Sequence, residues 1–137
     1  MRIVIDLQGA QSESRHRGIG RYSLSLTQSI LRNKGDHQII VALNGMFPET
    51  IEPIRSALYG LIPQEDIRVW YAPGPVKGFV EGNHERSQIA ELIREDFLNE
   101  IHADVVLITS MFDGFGDDTV TSVGKLPSSH KTVSILY

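Results

Sequence analysis

Apolar residues along this chain fall into two alternating patterns. Short, near-continuous runs such as Ile39, Ile40, Val41, Ala42, Leu43 and Val105, Val106, Leu107, Ile108 predict strands at residues 2–7, 37–43, 66–71, 104–109 and 131–137. Consecutive apolar positions suit strands covered on both faces, as in a parallel sheet. Between them, apolar residues recur every three or four positions. Ile19, Tyr22, Leu26 and Ile30 form one such stripe, and Ile51, Ile54, Leu58 and Leu61 a second. Ile89, Leu92, Ile93, Phe97 and Ile101 form a third, each spaced like the buried face of a helix. Residues 117–123, entered through Gly114 and Gly116, read as a short fourth helix.

Strands alternating with helices predict an α/β fold, a Rossmann-like doubly wound parallel sheet. Crossover handedness and strand burial place the first strand centrally, in the order 3-2-1-4-5. Ligands of such sheets bind beyond the carboxyl ends of the strands, so the loops after Leu7 and Thr109 should be neighbours. The stretch 72–85, with Pro73, Gly74, Pro75, Gly78 and Gly82, is the longest irregular segment and reads as a flexible loop.

The chain has 137 residues, enough for one ordinary core. A net charge of −4 argues against general nucleic-acid binding. There is no cysteine, hence no disulfide framework and no thiolate metal site. The five histidines are scattered without the spacing of a metal site. Asp6 interrupts the opening apolar run, so neither a signal peptide nor a membrane span is read there. The cytoplasm is the expected compartment.

Against this acidic background, one basic loop stands out. Arg15, His16, Arg17, Gly18, Ile19, Gly20 and Arg21 lie between the first strand and the first helix. Cations ahead of a helix oppose its dipole unless an anion is present, while the exposed amides there favour phosphate. Arg17, Gly18, Gly20 and Arg21 are therefore candidate phosphate-binding residues. Without a ligand, this loop is expected to be mobile. The dinucleotide fingerprint is not met, because Ser23 stands where its third glycine belongs. A serine-hydrolase elbow and a Gly-Lys-Ser/Thr phosphate loop are also missing. Asp6 reads as a hydrogen-bond acceptor for loop amides. The second notable stretch, residues 109–118, follows a central strand and offers Ser110, Phe112 and Asp113 as candidate ligand contacts. The competing reading packs Phe112 and Phe115 beneath the loop, with Asp117 and Asp118 capping a short helix.

The opening residues 1–9, together with Arg17-Gly18-Ile19-Gly20-Arg21-Tyr22-Ser23, resemble bacterial group 1 (family 4) glycosyltransferases of polysaccharide and O-antigen assembly, mannosyltransferases among them. Leu43-Asn44-Gly45, residues 90–95 and residues 112–118 agree with the same resemblance. It implies the N-terminal domain of a two-domain GT-B enzyme that shapes the acceptor site, here over residues 1–137. The C-terminal domain, which would hold most of the nucleotide-sugar, has no counterpart in this chain. The implied reaction is metal-independent, retaining transfer of a hexose, mannose being one candidate, to a polysaccharide or lipid-linked glycan. No cofactor and no metal are expected. The implied partners are a nucleotide-sugar, a glycan acceptor and the protein's own C-terminal domain, with no nucleic acid. Peripheral contact with the cytoplasmic face of the inner membrane is a further expectation.

By the same resemblance, Gly18 and Gly20 match the glycine loop that approaches the donor phosphates, and Arg17 and Arg21 would add charge there or hold an anionic acceptor. Many relatives carry a histidine after the fourth strand, but Ser110-Met111-Phe112-Asp113 has none. Sugar contacts at Ser110, Phe112 and Asp113 therefore do not follow from the resemblance. The alternative is a non-catalytic Rossmann-like module that binds a phosphorylated ligand.

Overall fold

The computed structural model describes residues 1–136. Five strands, β1 (Arg2–Asp6), β2 (Gln38–Asn44), β3 (Ile67–Trp70), β4 (Val105–Ile108) and β5 (Lys131–Ser134), form one sheet in the order β3-β2-β1-β4-β5. All four pairings are parallel, with Val4 facing Ile40 on one side and Val106 on the other. The predicted order and direction are both met. The last predicted strand is shorter than expected, although the Ile135 amide still donates to the Ile108 carbonyl at 3.1 Å. Tyr137 lies outside the described residues.

The central strands bury both faces because their side chains alternate. Ile5, Ile39, Val41 and Leu43 point into a core with Leu31, Ile54 and Leu58. These last three come from α1 (Gly18–Arg32) and α2 (Pro48–Leu58). Val4, Ile40, Ala42, Val106 and Ile108 point the other way, onto Leu98 and Ile101 at the end of α3 (His84–Glu100). β5 is an edge strand, with Val133 half-exposed.

The structure corrects two of the predicted helix faces. α1 buries Gly20, Ser23, Thr27 and Leu31, and leaves Tyr22 53% exposed. Small residues bring this helix close to the sheet. The Ser23 and Thr27 hydroxyls donate to the carbonyls of Ile19 and Ser23, four residues back, so their burial leaves no donor stranded. α3 buries Ala90, Arg94, Glu95 and Leu98, while Ile89 and Leu92 face outward. Its inward face is partly polar because it meets a polar network. The predicted α2 stripe is met, with Ile54 and Leu58 buried and Ile51 and Leu61 packed against them.

The short helix expected over residues 117–123 does not form. The Gln8 side chain instead grips Val120 by its main chain. Gln8 Oε1 accepts from the Val120 amide at 3.0 Å, and Gln8 Nε2 donates to the Val120 carbonyl at 2.8 Å. Asp117 accepts from the amides of Glu13 and Thr119, and Asp118 from that of Val76. These groups tie loops to one another, which competes with a helix.

Candidate functional site

The sheet's carboxyl edge is built around a buried polar network. Asp6 ends β1 and is fully buried, and Arg94 of α3 is 1% exposed. Arg94 Nε and Nη2 both donate to Asp6 Oδ2, at 2.9 and 2.5 Å, and Nη1 donates to the Ser122 carbonyl at 2.8 Å. Asp6 Oδ1 accepts from the backbone and side-chain amides of Gln8, so the expectation that Asp6 serves loop amides is met in part. Gln8 Oε1 also accepts from Asn44 Nδ2 at 2.9 Å. Gln11 brackets the main chain of Asn44, accepting from its amide and donating to its carbonyl. The ends of β1 and β2 and the loop at Val120 and Ser122 are thereby tied together by largely buried hydrogen bonds. A buried network rigidifies in this way only when its members are satisfied.

On this frame, the loops after β1 and β4 meet as predicted. The Thr109 hydroxyl donates to the Asp6 carbonyl at 2.7 Å and accepts from the Gly9 amide at 3.0 Å. The basic segment forms a 3-10 turn over Glu13–His16 and then enters α1 at Gly18. Arg17 takes the N-cap position with extended backbone and makes no side-chain cap, and the first turn holds no acidic residue. The amides of Gly18, Ile19 and Gly20 thus open α1 without a capping side chain.

Beside this first turn lies a cavity of about 220 Å³ lined by Ile19, Thr109, Ser110, Phe112 and Asp113, among others. Ser110 is buried, yet its hydroxyl has no hydrogen-bond partner, and neither has Asp113 Oδ2. Burial pushes the Asp113 carboxyl above its ordinary range, a hydrogen bond from Ser12 opposes this, and the nearby Asp117 charge adds to it. Gly20 lies inside, against the 3-10 turn. A Cβ there would sit 2.3 Å from Arg15 Cα. Gly18 faces open space. Arg17 and Arg21 are exposed on the turn's outer side, whereas Arg15 turns away toward Gln11 and Glu49. Phe112 and Phe115 are 78% and 74% exposed, so they do not pack beneath their loop.

The structure brings Ser110, Phe112 and Asp113 to the start of α1 and leaves the Arg17 and Arg21 side chains on the adjoining surface. The supporting residues Gln8, Gln11, Asn44 and Arg94 were not singled out by their sequence pattern. The available signal was polar residues ending two adjacent apolar strands, with an arginine inside a helical face four residues from Ala90 and Leu98. Among the described residues, no group of three His, Cys, Asp or Glu side chains is placed to hold a metal ion. Among the same residues, no helix is long and apolar enough to cross a membrane.

Over its whole length, the chain is 34% identical across 138 aligned positions to a serotype-specific mannosyltransferase, WbdA, of Escherichia coli. The chain is mannosyltransferase-like in sequence. Two further proteins of the same name and organism are 29% and 28% identical over 113 residues, 82% of this chain. The chain spans 16% of the first relative's length and 14% of each of the others. No family model matches, and no solved structure matches significantly. The glycosyltransferase resemblance read from the sequence thus agrees with an alignment that covers the cavity and both of its loops.

The raised Asp113 pKa has a consequence for stability. The native state holds its proton at a pH where the unfolded chain has released it, so stability falls as pH rises through that window. Asp113→Asn should therefore melt higher than wild type at pH 7, with the difference shrinking as pH falls toward 4. Thermal melts across this range check it.

Proposed function

We propose that this chain is the acceptor-side, N-terminal domain of a retaining GT-B glycosyltransferase. The whole protein would move a hexose, mannose by likeness to the relatives, from a nucleotide-sugar to a polysaccharide or lipid-linked glycan. The observation carrying this reading is the cavity at the uncapped start of α1, lined by Ile19, Ser110 and Asp113, where Ser110 Oγ and Asp113 Oδ2 are buried without hydrogen-bond partners. A departing diphosphate gathers negative charge as the anomeric carbon loses it, and pre-positioned amides with Arg17 and Arg21 beside them lower that cost. Ser110 and Asp113 would hold hydroxyls of a sugar next to it. The likeness to mannosyltransferases weighs against a free-standing phospholigand module. Cytoplasmic residence, with the membrane face as the place of an anchored acceptor, belongs to the same proposal, as does chemistry without a metal.

A second domain would supply the nucleotide pocket, and bond exchange needs both walls of the cleft. The 137-residue chain alone should therefore turn over no nucleotide-sugar. In the longer protein, Arg17→Ala should lower kcat/KM about tenfold, as loss of a partly exposed charge-assisted contact does, with thermal stability unchanged. Wild-type kinetics in this variant, or turnover by the chain alone, would overturn the arrangement proposed.

A further inference from the structure

Outside the cavity, two loops carry phenylalanines that no part of the fold covers. Phe79 is 57% exposed and Phe115 74%, and their ring centroids lie 5.9 Å apart with the planes inclined at 48°. Main-chain bonds hold the pair in place. The Gly78 amide donates to the Gly114 carbonyl at 2.9 Å and the Phe79 amide to the Phe115 carbonyl at 3.0 Å. Gly114 has a φ of +106°, and a Cβ there would meet the Thr119 carbonyl oxygen at 2.6 Å, so this corner is shaped for glycine. Phe115 follows Asp113 by two residues, which puts the two Cα atoms no more than about 7 Å apart. Phe112, 78% exposed, lines the cavity.

We infer that Phe79 and Phe115 form a second sugar-binding subsite, one residue further along a glycan whose end occupies the Ser110–Asp113 cavity. This rests on the acceptor reading of that cavity. A pyranose ring has apolar C–H faces and a polar hydroxyl edge. An exposed ring pair receives the former, and Ser110 and Asp113, polar residues lining the adjoining cavity, the latter. The charge around the pair favours a neutral polyhydroxylated ligand over a membrane. Lys77 and Glu81 offset each other on one loop, while Asp113, Asp117 and Asp118 stand on the other. Such a setting repels anionic headgroups. The consequence for specificity is a preference for glycans over single sugars.

The test is an amide chemical-shift titration of the 137-residue chain with free mannose and with an α-linked mannotriose. The trisaccharide should bind at least fivefold more tightly, shifting Gly78, Phe79, Gly114 and Phe115 as well as residues 110–113. Phe79→Ala with Phe115→Ala should bring the ratio near one and leave the mannose shifts at 110–113 intact. Phe115→Trp should restore the preference. An unchanged ratio in the double variant, with the shifts at 110–113 retained, overturns the subsite and leaves the cavity reading standing. No shift at residues 110–113 with either sugar removes both. Phosphatidylglycerol vesicles that bind wild type but not the double variant, with the sugar ratio unaltered, would assign the pair to a membrane and overturn the proposal.

Discussion

Arg94→Met should destabilise the fold by about 3–5 kcal/mol, because it leaves the fully buried Asp6 carboxylate without its cation. The guanidinium supplies two donors to one carboxylate oxygen and a third to the Ser122 carbonyl, and methionine supplies none. Its aliphatic length roughly fills the same space, so the loss reads as charge and hydrogen bonding rather than volume. Chemical denaturation midpoints at constant m-value measure the change. Asp6→Asn combined with Arg94→Met should recover a substantial part of the loss, since removing both charges avoids an unpaired ion. If the single variant unfolds at the same denaturant concentration as wild type, the network is not what holds the carboxyl edge together.

The second large effect concerns two glycines separated by one residue. Gly20→Ala should cost about 1–3 kcal/mol, because its methyl would overlap the main chain of Arg15 and push the 3-10 turn off α1. Gly18→Ala meets open space and should be neutral or slightly stabilising through the helix propensity of alanine. Melting temperatures of the two variants separate them. Equal effects would mean that the close approach of Arg15 to α1 is not maintained in solution. Under the proposed function, the Gly20 variant of the longer protein should also lose transfer activity beyond its loss of stability, since the displaced turn leads into Arg17. The first-turn glycines thus have distinct duties. One admits the neighbouring turn, and the other leaves the helix start open.

The sheet was readable because Ile39–Leu43 and Val105–Ile108 are apolar at every position, and only a strand covered on both sides tolerates that. Helix positions were also readable, but two buried faces were not. Periodicity counts large apolar residues, whereas α1 turns Gly20, Ser23 and Thr27 inward and α3 turns Arg94 and Glu95 inward. Their burial depends on partners distant in sequence, such as Asp6, 88 positions from Arg94. The same holds for residues 117–123, whose helix-like spacing yields to Gln8, 112 positions away. The candidate residues Arg17, Gly18, Gly20 and Arg21 stood out because composition there runs against its background. Ser110, Phe112 and Asp113 were singled out as candidates because they follow a central strand. That they share a cavity with the start of α1 follows from the strand order, and that Ser110 Oγ and Asp113 Oδ2 lack partners follows only from packing.

The hydrogen bonds between the 78–79 and 114–115 segments run from amides to carbonyls. Such a seam is indifferent to which side chains sit at 79 and 115, provided that glycine stays at 114. Exchanging either ring would then remove the ring contact and leave the main-chain seam in place. If the two rings form the glycan subsite proposed above, point substitutions at these positions would change which ligand the surface accepts while the seam that carries it stays in register.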